Sequence, residues 1–236
     1  MKQVNLESFY KLDFRSNESY ISLRTNLLFC GSIIKLVCFT SCLPNEGKSN
    51  VSFHLAASLA ESGKKVLFID ADLRKSVIVG RYKPDRGVLG LTHYLSGQNT
   101  LEDIRYSTNI KKLDILFAGP VPPNPSELLG SNNFHELLKE MSSEYDYVIL
   151  DTPPLASVID SVIVSEQCDG VVLVIESNRI SYKLAQRVKK QLEKGNCKIL
   201  GVVLNKVNMS NRLYGYYGKK YKNYENDNNS NNILVE

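Results

Sequence analysis

The chain has 236 residues, enough for one substantial core and for one to two domains. Its apolar and charged fractions are those of an ordinary globular protein, and a formal net charge of +4 from scattered basic residues does not by itself point to nucleic acid. No window approaches the ~18–20 uninterrupted apolar residues of a membrane span, and residues 1–14 lack the pattern of a signal peptide. A cytoplasmic location is expected, with membrane association only through a partner. The five cysteines are odd in number and no two are spaced C-x-x-C, which argues against a disulfide or a zinc site. Cys42 is the one thiol placed where oxidation could matter.

Residues 1–17 are polar and weakly patterned, and are expected to form an arm on the surface. A helix is expected from Asn17 to Phe29, with Leu23, Leu27 and Leu28 on its apolar face and Glu18 and Arg24 on another. The apolar run Leu36-Val37-Cys38-Phe39 reads as a strand. It leads into Ser41-Cys42-Leu43-Pro44-Asn45-Glu46-Gly47-Lys48-Ser49, and a helix follows from Lys48 to about Ser62. Strand, tight loop ending Gly-Lys-Ser, then helix is the context in which backbone N–H groups and a helix N-terminus hold phosphates. Pro44, Asn45, Glu46, Gly47, Lys48, Ser49 and Asn50 are the candidate nucleotide-binding residues. Lys48 would reach the outer phosphates and the Ser49 hydroxyl would ligate Mg²⁺. The competing reading, an ordinary turn containing Gly-Lys-Ser, loses weight as the rest of the chain is read. His54 is expected to be a packing or surface residue of this helix.

A second strand, Lys65 to Ile69, runs into Asp70-Ala71-Asp72-Leu73-Arg74. Residues 75–110 are mixed, with short helical turns near residues 87–91 and 94–97. A third strand covers Leu113 to Phe117, and a helix is expected from Ser126 to Met141 after a proline-rich loop. Strands at Tyr147–Asp151, Gly170–Ile175 and Ile199–Asn205 alternate with helices at Val158–Ser165 and Tyr182–Lys194. Alternating helices and continuously apolar strands predict an α/β fold: one mostly parallel central sheet with helices on both faces.

In such sheets ligands lie outside the carboxyl ends of the strands. Asp70, Asp72 and Asp151 all stand there, and are expected to converge on the phosphate loop. Mg²⁺ takes a few carboxylate contacts, direct or through water, together with substrate phosphates, so Ser49, Asp72 and Asp151 are the candidate metal residues. A single Asp after a strand would read as a turn residue; three beside a Gly-Lys-Ser loop do not. Asn205, at another strand end, is a candidate for contacting the adenine base, an ordinary turn Asn being the alternative.

Past Asn208 the apolar periodicity stops. Residues 214–224 carry Tyr214, Tyr216, Tyr217, Tyr221 and Tyr224 among Gly and Lys, and contain no Val, Ile or Leu. A disordered tail is expected over 209–236, giving an organisation of arm (1–17), P-loop domain (18–208) and tail.

These motifs, in this order, resemble those of the bacterial tyrosine kinases. Pro44 to Ser49 looks like that family's Walker A, Val66 to Arg74 its Walker A′ (apolar residues, then Asp-x-Asp-x-Arg), and Val148 to Pro153 its Walker B. The tyrosine cluster looks like its autophosphorylation tail. The resemblance covers nearly the whole chain, Glu18 to Tyr224. It implies a P-loop NTPase-like fold, ATP and Mg²⁺ as cofactors, and a protein-tyrosine autokinase acting between subunits. Lys48, Asp70 and Asp72 would be catalytic, one of the two carboxylates assisting deprotonation of the incoming tyrosine, while Asp151 would act on the metal shell. The five tail tyrosines would be the acceptors. It further implies the capsular or exopolysaccharide kinases of the Gram-positive type. Their partners are a transmembrane polysaccharide co-polymerase that activates the kinase, further copies in a ring or dimer, and a cognate phosphatase.

Two positions depart from the family pattern. Asn45 stands where Gly is usual, and Asn is one of the few other residues that accepts a positive φ. In the N-terminal helix motif Glu-x-x-Arg-x-x-Arg, Glu18 and Arg24 match but Ile21 replaces the middle Arg, which weakens the expectation of ring assembly. The main rival is a partition or division-site ATPase. Its signature Lys is absent, since Leu43 and Pro44 occupy the first loop positions. A nucleotide-binding scaffold without turnover is the other.

Overall fold

The computed structural model describes residues 2–9 and 12–208; the expected tail lies outside these. The elements in order are β1 (Lys2–Val4), α1 (Phe14–Phe29), β2 (Leu36–Ser41), α2 (Lys48–Glu61), β3 (Val66–Asp70), α3 (Ile78–Tyr82), α4 (Leu91–Leu95), α5 (Leu101–Ile104), β4 (Arg105–Thr108), β5 (Leu113–Leu116), α6 (Pro125–Leu129), α7 (Asn132–Glu144), β6 (Tyr147–Asp151), α8 (Asp160–Ser165), β7 (Gly170–Glu176), α9 (Tyr182–Lys194) and β8 (Ile199–Asn205). The strands form one sheet in the order β1-β4-β5-β3-β6-β2-β7-β8. Every pair is parallel except β4 with β5. No helix among the described residues is long and apolar enough to cross a membrane.

The period of two along each strand sorts side chains into two buried layers. Leu36, Cys38, Leu67, Ile69, Val148 and Leu150 join the layer of α6 to α9. Val37, Phe39, Val66, Phe68, Tyr147 and Ile149 join the layer of α1 to α3. Continued to the strand ends, the same alternation puts Asp70 and Asp151 on the α2 side. They are also register partners in the β3–β6 pair. Two carboxylates are thus set side by side at the carboxyl edge of the sheet, facing the helix that begins with Lys48.

The expected surface arm is different in the structure. Lys2–Val4 pairs with β4, and Val4 and Leu6 are buried, so three residues of alternation in a polar context were enough to add an edge strand. Helix α1 begins at Phe14 rather than Asn17, because Asp13 caps it by accepting from the N–H groups of Arg15 and Ser16 at 3.0 and 3.1 Å. Leu28, expected on its apolar face, is 40% exposed. Arg24 instead points inward and donates to the Ser58 carbonyl (2.8 Å) in α2. The single helix expected over 126–141 is two, since Ser131 caps a new start by accepting from Phe134 N–H. β4 had no expectation attached to it; it is a hairpin partner of β5 in a stretch of mixed polarity.

Candidate nucleotide and phosphoryl-transfer site

The loop between β2 and α2 is shaped by its own residues and braced by the ends of β7 and β8. Asn45 has φ 66° and Gly47 φ 92°, so the family-atypical Asn occupies the left-handed region that the substitution had to reach. Glu46 is fully buried, and its carboxylate accepts from Leu43 N–H at 2.7 Å and from Glu176 N–H at 3.2 Å. The Glu46 side chain therefore turns away from a phosphate position and ties the loop to the end of β7. Asn205 donates from Nδ2 to the Glu46 carbonyl at 2.9 Å. A Cβ on Gly47 would lie 2.2 Å from that same nitrogen, so the glycine is required by close approach as well as by φ.

The other long helices start with a side-chain cap: Asp13 for α1, Ser131 for α7 and Ser181 for α9. Helix α2 starts at Gly47 with none. Its first N–H groups are left to whatever sits at the loop, which is the property of an anion site.

Beside them lies the charge cluster. Lys48 Nζ is 3.2 Å from Asp151 Oδ2, 3.3 Å from Asp72 Oδ2 and 3.1 Å from Ser49 Oγ. Ser52 donates to Asp151 Oδ1 at 3.3 Å, and Ser76 donates to Asp70 Oδ2. Asp70 Oδ1 accepts from Asp72 N–H at 3.3 Å. All three carboxylates are buried. Burial, and next the charge of Asp151, push the Asp70 carboxyl up to about 8, so it keeps its proton at neutral pH. Burial also raises Asp151, although Lys48 pulls the other way. Burial works against the Lys48 charge, but Asp151, Asp72 and Asp70 together hold its pKa above the ordinary lysine value.

One ammonium thus stands among the oxygens of Ser49, Asp72 and Asp151, where a cation is wanted. Those donors fit Mg²⁺, which needs few protein ligands when phosphates supply the rest. When bound, the metal would neutralise developing charge on the transferred phosphoryl group. Lys48 sits within reach of both the loop and the carboxylates, so it can serve the phosphates once another cation occupies the cluster.

The profile of the family described as an AAA domain matches residues 45–200. Tyrosine-protein kinase CpsD of Streptococcus agalactiae is 43% identical over 201 residues, covering 85% of this chain and 88% of that one. The chain belongs to the bacterial tyrosine kinases. Tyrosine-protein kinase YwqD of Bacillus subtilis is 41% identical, with 85% and 86% covered. Among solved structures, the kinase domain of Escherichia coli tyrosine kinase ETK superposes with a TM-score of 0.76 at 32% identity, covering 82% of this chain and 78% of that one.

Of the expected site residues of this tyrosine kinase, Lys48, Ser49, Asp72 and Asp151 meet directly, and Asp70 adjoins them through Asp72 N–H and the Asp151 register. Asn50 turns its side chain to the Tyr20 hydroxyl (3.5 Å). Pro44 and Asn45 are exposed at the loop tip. His54 packs between the rings of Phe9 and Tyr20, and burial with the nearby Arg81 lowers its pKa to about 4, which fits the packing role. The Cys42 thiol is buried and pushed up to about 12 by burial and Glu46, so the loop carries no reactive thiolate.

Sequence reasoning missed a second cluster at the same end of the sheet. Arg74 grips Asp160 with two bonds, Nε to Oδ2 at 2.7 Å and Nη2 to Oδ1 at 3.0 Å, and Ser126 donates to Oδ1 at 2.7 Å. Three segments are pinned together: the loop after β3 and the first turns of α6 and α8. The only signal in the chain is Arg74 itself, as the last residue of the Asp-x-Asp-x-Arg motif; nothing marked Asp160.

Proposed function

We propose that this kinase transfers the γ-phosphoryl group of ATP, with Mg²⁺, to its own C-terminal tyrosines, each subunit acting on the tail of another. What carries the reading is the buried cluster of one lysine and three carboxylates at an uncapped helix start, in a chain whose residues 214–224 hold five tyrosines. Phosphoryl transfer needs positioning and charge neutralisation more than covalent help from the protein. Lys48 and the α2 N–H groups supply the anion side, and Ser49, Asp72 and Asp151 the metal side. An acceptor tyrosine has a reference pKa near 10 and gains from a nearby carboxylate base; Asp72 would fill the role, or Asp70 once a bound cation had displaced its proton. Asn205, which braces the loop through Glu46, would also meet the base of the nucleotide.

In the cell this activity would regulate synthesis and export of a capsular or exopolysaccharide. A transmembrane co-polymerase would bring the kinase to the inner membrane face and activate it, and a phosphatase would reset it. Assembly into a ring or dimer would be looser than in relatives with a complete helix motif. Ile21 lacks the charge of the usual Arg, and Arg24 is already bonded to Ser58 in its own chain. Each phosphate adds about −1.5 to −2 charge, so a tail bearing Lys219, Lys220 and Lys222 would turn acidic and release its docking.

Mixing tests the direction of transfer. A Lys48→Met chain with intact tail is incubated with Mg-ATP and a wild-type kinase lacking residues 209–236, with the partner's cytoplasmic segment present. Phosphotyrosine on the Lys48→Met tail is expected. Its absence, while full-length wild type labels itself, would rule out transfer between subunits.

A further inference from the structure

Helix α9 carries Lys183, Arg187, Lys189, Lys190 and Lys194 against one acid, Glu193, which Lys189 takes in a 3.2 Å pair. The other four are exposed, and no acidic group pairs with any of them among the described residues. Elsewhere Lys2, Lys48, Lys65, Arg74, Arg86, Arg105 and Arg179 hold carboxylates, while other exposed cations such as Lys111 and Lys139 do not; α9 gathers four such cations on one helix. At 100° per residue, positions 183, 187, 190 and 194 fall within an arc of about 60°, spread over about 16 Å of helix. Val188 and Leu192 are buried on another side. The stripe therefore faces away from the sheet. With Gln186 and Gln191 it lines a groove of about 450 Å³. Tyr182, at the start of the helix, is 76% exposed.

We propose that this face of α9 docks the kinase on an anionic lipid surface. Three of the four charges are lysines, which act as point charges and do not form the bidentate fork that selects a single phosphate. They are strung along a line and do not converge on one spot, as recognition of a phosphorylated residue would require. A line of four unpaired cations matches the clusters of 4–8 basic residues that hold proteins to acidic headgroups, and an exposed Tyr at one end suits the interfacial layer. Membrane contact would then not rest on the co-polymerase alone. The inference does not depend on the kinase reading, because none of the four stripe residues belongs to the phosphate loop or to the Lys48 cluster.

The test is co-sedimentation of the full-length, nucleotide-free chain with phosphatidylglycerol/phosphatidylcholine vesicles and with pure phosphatidylcholine vesicles. Binding to the first and not the second, weakening as salt rises, is expected. The combined Lys183→Gln, Arg187→Gln, Lys190→Gln and Lys194→Gln variant should bind at least ~10-fold more weakly. Its circular dichroism and its autophosphorylation in solution should be unchanged, since Gln is a good helix former. A Lys111→Gln, Lys139→Gln control, which removes exposed charge elsewhere, should bind like wild type. Equal binding to neutral vesicles, or full binding by the α9 variant, would overturn the proposal. So would a stripe that captures a phosphotyrosine peptide or an RNA oligonucleotide while ignoring anionic vesicles.

Discussion

Two charge clusters lie at the carboxyl end of this sheet, and they are built on opposite plans. Around Asp160 the account balances: one buried carboxylate, one guanidinium in a two-point grip and one serine hydroxyl. Around Lys48 it does not, with three buried carboxylates and one ammonium, and Asp70 held protonated near neutrality. A balanced pair holds elements together; an unbalanced one is the kind of site to which we assign a cation and a phosphate. The difference separates structural charge from chemical charge without reference to any bound ligand.

Lys48→Met should produce the largest effect. Removing the cation we assign to the phosphates should lower tail phosphorylation by ~10²–10³-fold, read as phosphotyrosine per chain, while the fold survives because the carboxylates can take up protons. Arg74→Ala attacks the balanced cluster and should do the reverse. It strands a fully buried Asp160, and is expected to cost about 3 kcal/mol in urea unfolding at pH 7, at the low end for a buried pair because Arg74 is itself 38% exposed. Asp160→Asn, which leaves no buried charge behind, should cost less. The two results in the opposite order would dissolve the distinction.

The clusters should also carry opposite pH signatures. Asp70 has a folded pKa far above its unfolded value, so the folded state binds more protons between about pH 4 and 8 and stability falls with rising pH across that window. Asp70→Asn should flatten this fall. For Asp160 burial acts to raise the pKa, but the Arg74 and Ser126 hydrogen bonds win and hold it below the ordinary carboxylate value. Its contribution is present above the unfolded pKa and lost as pH drops through the folded one, so Asp160→Asn should blunt acid unfolding instead. Thermal melts of both variants from pH 3 to 9 would show whether the slopes change as described.

The same contrast explains what could be read in the chain beforehand. Lys48, Asp70 and Asp151 were legible because each ends or begins a regular element whose period fixes its direction: Phe68 and Ile149 point to α2, so Asp70 and Asp151 do too. Asp160 was not, because it opens a short helix and meets Arg74 across 86 residues, in a loop that no periodicity constrains. The direction of the Glu46 side chain was not legible for a related reason, since only the tertiary neighbour Glu176 reveals that its carboxylate turns inward. β1 and β4 escaped because edge strands of three and four residues are too short to show a period.

The smallest effect is expected at Asn205, which belongs to neither cluster. Loss of one hydrogen bond to the Glu46 carbonyl, worth about 1 kcal/mol, should weaken nucleotide binding several-fold in Asn205→Ala by loosening the loop. Unchanged affinity by calorimetry would remove both the bracing role and the contact with the base.

The most direct measurement of the central claim is the intact mass of the chain after incubation with Mg-ATP and the partner's cytoplasmic segment, followed by peptide mapping. Phosphate adducts confined to Tyr214, Tyr216, Tyr217, Tyr221 and Tyr224, and absent from Lys48→Met alone, are predicted. ATP hydrolysis without a single adduct on residues 214–224 would contradict the account.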